Sequence, residues 1–397
     1  MMTDHRYQYV ICGAGIIGLT IALRLAKSGV KSILIIEKED HVGAHASGRN
    51  SGILHSGIYY TQDSLKAQFC VAGSDLMKAF CAEKNIPILN CGKVIVCHNE
   101  TELKTLHTLY ERAHLNGATA AKLVSKETLK TIEPLTTTYK EAIYSPATSV
   151  VNPKEVLHAL VEELHSYGVS IKFSTSYIGR LNETMIETSL GPVSFDYFIN
   201  CAGSFSDRIA HQFGIGHHYR LIPFKGLYKK WIAAEAKQVR AHVYPVPDIR
   251  NPFLGIHVTK SINGDIYFGP TAIPSLGPEN YDSFAKFDLE AIRILYRNFQ
   301  LFVANPKYRS IAKTEPLRYI PYSYYLESKK LIPTLKSKDL VPCTKVGIRP
   351  QLVDIDSKQL VMDFVIEKTD NSLHLLNAIS PAFTCSMAIA DHIVKGM

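Results

Sequence analysis

Residues 13–18 read Gly-Ala-Gly-Ile-Ile-Gly, and their surroundings constrain this chain more than any other stretch of it. Ahead of them, residues 7–12 form a short apolar run with strand character. Behind them, residues 16–27 carry apolar side chains at helical spacing, and Gly29 stands at the end. A strand, a glycine-rich turn and a helix in that order open the βαβ unit that holds a dinucleotide. Gly13 allows the tight turn, Gly15 lets the backbone approach a pyrophosphate, and Gly18 lets the helix pack closely on the strand. The phosphates then rest on the N–H groups at the helix N-terminus, which begins at Ile16. A second buried strand at 32–36 ends on Glu37, a carboxylate placed to accept ribose hydroxyls. It would repel a 2′-phosphate, so NADP is disfavoured.

The rest of the chain fits a two-domain enzyme. Its 397 residues exceed one ordinary core, and a composition 46% hydrophobic and 20% charged is that of a globular protein. The net charge of +8 suits an anionic ligand or an acidic membrane face and is too scattered for nucleic acid. None of the eight cysteines stands at C-x-x-C spacing, so buried reduced thiols are expected, with neither a metal site nor a disulfide framework. No apolar run is long enough to span a membrane, and residues 1–6 are polar, leaving no room for a targeting segment. The expected placement is cytoplasmic, with docking on the inner face of a membrane as an added option.

Strands are expected at 93–97, 169–173, 195–200, 346–353, 361–366 and 373–377, with further β-rich stretches over 221–270. Helices are expected at 64–84, 100–116, 153–167, 284–305 and 381–395, and residues 38–62 read as one long loop. Loops of that length are usually functional. Asn200-Cys201-Ala202-Gly203 at a strand end offers a second close backbone approach, or simply a tight turn.

The stretch 46–60, Ala-Ser-Gly-Arg-Asn-Ser-Gly-Ile-Leu-His-Ser-Gly-Ile-Tyr-Tyr, is far more specific. With Ser64-Leu-Lys-Ala67 after it, it resembles the L-2-hydroxyglutarate dehydrogenase/oxidase family of D-amino-acid-oxidase-like enzymes. The resemblance continues at Cys91-Gly-Lys-Val-Ile-Val96, at 247–259, at Gly347-Ile-Arg-Pro-Gln351 and at 377–386. Lys225, Leu227, Thr271 and Ile379 depart from that pattern. Lys225 stands where arginine is expected, and a point charge cannot copy a bidentate fork.

The resemblance implies an α/β protein with a Rossmann-type FAD-binding domain interleaved with a β-rich α+β substrate domain. The first would combine residues 1–90, 150–225 and 345–397, and the second 91–149 and 226–344. It implies non-covalent FAD and oxidation of L-2-hydroxyglutarate to 2-oxoglutarate by hydride transfer to flavin N5. The final acceptor stays open among oxygen, a quinone or electron-transport chain, and a carrier protein. FAD contacts are expected from Gly13, Gly15, Ile16, Gly18, Glu37, Lys38, Ser47, Arg49, Asn50 and Ser51. Cys201, Ala202 and Gly203 complete them, together with Ser380, Pro381 and Thr384 at the start of the last helix.

Oxidising a 2-hydroxy acid needs a base for the hydroxyl proton and cations for the carboxylate. His55 is the candidate base and His257 its rival. Arg349 is the candidate carboxylate clamp, since guanidinium matches carboxylate bidentately. Lys66, Lys225 and Arg250 compete to be the second cation, and Tyr60 is a candidate pocket wall. Other readings remain open: oxidation of another 2-hydroxy acid, an amino acid or glycerol 3-phosphate, or a flavin-binding protein without catalysis.

Overall fold

A computed structural model describes residues 6–248, 254–282 and 288–397. The chain divides into two compact units, one of residues 1–50, 153–223 and 349–397 and one of 51–152 and 224–348. Residues 51–90, placed with the FAD-binding domain from sequence, fall in the second unit.

The first unit is built on strand β1, Arg6–Cys12, helix α1, Ile16–Lys27, and strand β2, Ile33–Ile36. β1 pairs in parallel with β2 on one side and with strand Gly191–Asn200 on the other. Strand Ser170–Lys172 extends the sheet in parallel beyond β2, and Ser372–Leu375 pairs in parallel with Gly191–Asn200. β2 is buried throughout, as a strand covered on both faces must be. α1 is buried almost all round because helix Ala382–Lys395 packs along it, with the Thr20 hydroxyl donating to the Ser386 carbonyl at 3.2 Å. Cys12 stands opposite both Ile36 and Asn200, so three parallel strands end level with one another. The crevice past such ends is where open α/β sheets bind ligands.

A second sheet, most of whose residues belong to the second unit, runs Leu340–Asp354, Tyr219–Trp231, Ile266–Gly269, His257–Lys260, His242–Pro245, Lys93–Val96, Glu141–Ser145, Lys122–Ser125. Strand alternation sorts its side chains between two cores. Val94, Val96, Val243 and Val258 face a core with Tyr324 and Leu331 of helix Pro321–Leu331. Ile95, Ile143 and Tyr244 face the other, covered by Leu103, Leu106 and Leu109 of helix Glu100–Leu115 and by Ile53 and Ile58.

Several expectations are corrected. The 38–62 stretch contains a strand, Ile53–Leu54, paired with Ser149–Val151. Residues 361–366 are not one strand; pairing occurs at Gln359–Leu360 and Ile366–Thr369. Helices Lys126–Ile132, Ser206–Gln212, Pro306–Thr314 and Pro321–Leu331 were not expected. Of the helix expected at 284–305, Leu289–Ala304 is helical with Asp288 as its N-cap, and residues 284–287 lie outside the described residues. No helix among the described residues is long and apolar enough to cross a membrane.

Candidate active site

The crevice of the first unit is shaped by backbone. Gly13 has φ +107°, and a Cβ there would meet the Cys201 carbonyl oxygen at 2.5 Å. A Cβ on Gly18 would lie 2.0 Å from the Gly13 oxygen, so the turn closes only with glycine at both places. Glu37 reaches back to the turn: Oε2 accepts from the Ala14 N–H at 2.8 Å and Oε1 from the Glu39 N–H at 3.0 Å. Ser47 Oγ accepts from the Ile16 N–H at 2.9 Å, which carries the 38–50 loop to the first residue of α1. Lys38 bonds His45 Nε2 at 2.9 Å and pairs with Glu39. Arg49 Nε donates to the Ala44 carbonyl at 2.5 Å, and Asn50 Nδ2 to the Ser47 carbonyl at 2.7 Å. At the neighbouring strand end, Asn200 Oδ1 accepts from the Ala202 N–H at 3.2 Å, and Gly203 has φ +55°. Gly13, Gly15, Ile16, Gly18, Glu37, Lys38, Ser47, Arg49, Asn50, Cys201, Ala202 and Gly203 therefore belong to one unit; Ser51 begins the other.

The last helix departs from expectation. It starts at Ala382 with Pro381 in the cap position and no side-chain cap, Ser380 is exposed, and Thr384 lies inside the helix, fully buried. Cys385 is buried within that helix, and Cys343 Sγ donates to the Tyr228 carbonyl at 3.2 Å.

The second unit gathers a buried polar cluster on one face of its sheet. Parallel pairing sets His242 opposite Lys93, and antiparallel pairing of Val243 with Val258 sets Tyr244 beside His257. The His257 ring stacks on Tyr244 at 4.0 Å between centroids. Lys93 Nζ lies 4.7 Å from the Tyr59 ring centre and 5.2 Å from that of Tyr244. The Lys93 side chain is wholly buried, and its Nζ has no hydrogen-bond partner among the described residues. Burial pulls its pKa down to about 8.

His55 is held over this face by its loop. Asn116 Nδ2 donates to the carbonyls of Gly57 and Tyr60, each at 2.9 Å, and Ser56 Oγ bonds Ser145 Oγ at 2.7 Å. Burial, then the charges of Lys93, His257 and His242, hold the His55 pKa well below the usual imidazole value. His242 is also kept neutral, with its pKa down to about 3, chiefly by burial. Its Nδ1 accepts from the Lys260 N–H at 3.2 Å, so its proton sits on Nε2, 3.2 Å from Cys91 Sγ. His257 has the opposite tautomer. Its Nδ1 lies 2.9 Å from the Gly255 carbonyl, which can only accept, so the neutral ring carries its lone pair on Nε2.

His55, His257 and Tyr60 are thus placed in the unit that holds Lys93, which sequence reasoning passed over. A lysine at the head of the run Lys-Val-Ile-Val reads as a solvated strand end, and only a fully buried strand reveals otherwise. Lys66 is buried in the first turn of helix Leu65–Glu83. Lys225 Nζ donates to the Asp282 carbonyl at 2.7 Å and contacts Asn280 Oδ1 at 3.5 Å, so its charge is engaged by its own neighbourhood. Arg349 is half-buried on strand Leu340–Asp354 at the start of a first-unit segment. Arg250 lies outside the described residues.

A family model described as FAD dependent oxidoreductase matches residues 8–395, and the chain belongs to that family. Among curated relatives, it is 34% identical over 404 residues to the L-2-hydroxyglutarate dehydrogenase of Escherichia coli (strain K12), covering 98% of this chain and 92% of that one. It is 33% identical over 420 residues to the mitochondrial L-2-hydroxyglutarate dehydrogenase of Bos taurus, covering 98% and 88%. The fold matches that of an L-alpha-glycerophosphate oxidase from Mycoplasma pneumoniae with FAD bound, at a TM-score of 0.78 and 20% identity over 98% of this chain and 94% of that one. The cofactor is FAD, and the turn closed by Gly13 and Gly18, with Glu37 anchored beside it, fits an adenine dinucleotide.

Proposed function

We propose that this enzyme oxidises L-2-hydroxyglutarate to 2-oxoglutarate. The observation that carries the reading is the buried cluster of His55, His257 and Lys93 in a chain whose curated relatives act on that substrate. Bound FAD would supply the acceptor for the substrate's α-hydrogen. The crevice residues would hold it without a covalent bond, the N-terminus of α1 facing the pyrophosphate and Glu37 accepting from the ribose.

The chain's own work is to hold the substrate and take its proton. His257 is the base: the Gly255 carbonyl fixes its proton on Nδ1, which puts the lone pair of the ring on Nε2. His55, the other candidate, is held below the usual imidazole pKa by burial and by Lys93, and serves as a neutral hydrogen-bonding group beside the substrate. Lys93 supplies positive charge in a dry setting, where it stabilises a carboxylate or a developing alkoxide far more than in water. Arg349 clamps a carboxylate. Lys66 and Arg250 stay the candidates for the second cation, while Lys225 Nζ bonds the Asp282 carbonyl and Asn280 Oδ1.

The electrons leave to a quinone or another electron-transport carrier, with the protein in the cytoplasm against the inner face of a membrane. The net charge of +8 supports that reading. Turnover with a soluble quinone should then exceed turnover with dioxygen. The substrate assignment is tested by product analysis. One mole of 2-oxoglutarate should form per mole of two-electron acceptor reduced, while glycerol 3-phosphate and L-amino acids give none. Faster turnover of either of those compounds would reassign the substrate.

A further inference from the structure

Asn200, the last residue of strand Gly191–Asn200, stands opposite Cys12 on one side and His374 on the other. Asn200 and His374 are both wholly buried, so every hydrogen they carry needs an acceptor inside the protein.

The Asn200 amide can stand only one way round. Oδ1 faces the Ala202 N–H at 3.2 Å, which can only donate, and Nδ2 faces the Ser206 carbonyl at 2.8 Å, which can only accept. The other Nδ2 hydrogen meets His374 Nδ1 at 3.0 Å, so that nitrogen is an acceptor and the imidazole proton sits on Nε2. Nε2 in turn donates to Ser372 Oγ at 3.0 Å. The Ser372 hydrogen is then free for Thr369 Oγ1 at 2.6 Å, and that of Thr369 for Asn371 Oδ1 at 3.4 Å. From Asn200 to Asn371 each donor points the same way. Phe213 meets the His374 ring edge-on at 4.8 Å, and Phe198 lies 6.2 Å away. Burial, then the charge of Arg180, pulls the His374 pKa down to about 3, so the ring is neutral and Nδ1 keeps its lone pair.

This chain of bonds holds one wall of the dinucleotide crevice. The Asn200 side chain ties Ala202 to Ser206 and so closes the turn between them. Within that turn the Cys201 N–H donates to the Cys12 carbonyl at 2.9 Å, and the Cys201 oxygen comes within 2.5 Å of where a Cβ on Gly13 would stand. We infer that His374 is a positioning residue for FAD: acting from the core, its Nδ1 lone pair fixes Asn200, which fixes the Cys201–Gly203 turn against the Gly13 turn. The inference rests on the crevice as the place where FAD binds, and it does not depend on the substrate assignment.

The test compares three substitutions made in the holoenzyme. Asn puts an amide oxygen where Nδ1 stands and so keeps the acceptor, whereas Gln reaches only the Nε2 position and Leu carries no polar atom. Diluting each holoenzyme and following the flavin fluorescence regained on release gives the FAD dissociation constant. His374→Leu and His374→Gln should raise it at least about tenfold, because a buried amide hydrogen loses its acceptor. His374→Asn should raise it no more than about threefold. Packing alone would make Asn and Gln alike. A second reading uses the parent protein with nitrogen-labelled histidine. Proton–nitrogen correlation spectra should show a neutral ring with its proton on Nε2, and this signal should be missing from His374→Asn. An Nδ1-protonated His374 would overturn the inference, as would an Asn variant as weak as the Leu variant. Gly18→Ala separates it from the crevice reading. If Gly18→Ala loses FAD while His374→Leu holds it like the parent, the inference about His374 fails alone. If both hold FAD like the parent, the crevice reading fails with it.

Discussion

The ammonium of Lys93 lies 4.7 Å from the ring centre of Tyr59, fully buried and with no hydrogen-bond partner among the described residues. Cation–π attraction offsets only part of the cost of desolvating a charge. A buried cation held this way weakens the fold and strengthens the binding of an anion.

That trade predicts the behaviour of Lys93→Met. Burial lowers the lysine pKa from 10.5 to about 8. The folded state is therefore penalised wherever the unfolded chain would be protonated. The penalty is fully present below about pH 8 and is relieved as pH rises toward 10.5. Lys93→Met should raise stability at pH 7 by about 2–3 kcal/mol, read as a shift in urea midpoint. The same variant should lose at least about tenfold in flavin reduction by the substrate. A variant less stable than the parent at pH 7 would contradict the account of the buried charge.

The two histidines should separate kinetically. His257→Ala should slow flavin reduction by roughly 10²–10⁴-fold with a smaller change in substrate affinity. His55→Ala should cost less in rate. Anaerobic stopped-flow reduction measures both. If the two variants exchange these signatures, His55 is the base.

FAD retention should depend on the turn more than on overall stability. Gly18→Ala would push a methyl group to 2.0 Å from the Gly13 oxygen and should open the turn. Glu37→Lys removes the acceptors for the Ala14 and Glu39 N–H groups and adds none. Both proteins should purify with little flavin, while thermal unfolding of the apo form changes less. Parental flavin content at limiting FAD would contradict the ribose assignment for Glu37.

Acid should destabilise the protein well above the carboxylate range. Burial lowers His242 and His374 to about 3. Between about pH 6.5 and 3 the unfolded chain binds protons that the folded one refuses, so stability falls as pH falls. Each histidine contributes about 1.4 kcal/mol per pH unit in that window, and neither costs anything above it. Urea midpoints at pH 7 and pH 5 should differ accordingly, and His242→Gln should shrink the difference. An unchanged difference would place the acid sensitivity elsewhere.

Local signals were legible in the sequence wherever chemistry and fold coincide. The strand, glycine turn and helix over 6–27 could be read because Gly13, Gly15 and Gly18 each answer a steric need within a few residues. Helices Pro306–Thr314 and Pro321–Leu331 were missed because proline reads as a breaker, although each begins its helix, the position that needs no N–H. The cluster around Lys93 was hidden for a different reason. It arises from pairing among strands Lys93–Val96, His242–Pro245 and His257–Lys260, and no local pattern announces that His242 will stand opposite Lys93. Helix Leu289–Ala304 does show an apolar period in sequence, but which apolar face is outward is settled only by packing.

The most direct test of the central claim is an anaerobic absorbance spectrum of the purified holoenzyme, recorded before and after L-2-hydroxyglutarate and, separately, D-2-hydroxyglutarate. The account predicts loss of the oxidised-flavin band with the L enantiomer, an equivalent amount of 2-oxoglutarate, and an unchanged spectrum with the D enantiomer. A flavin that stays oxidised with the L enantiomer would contradict it.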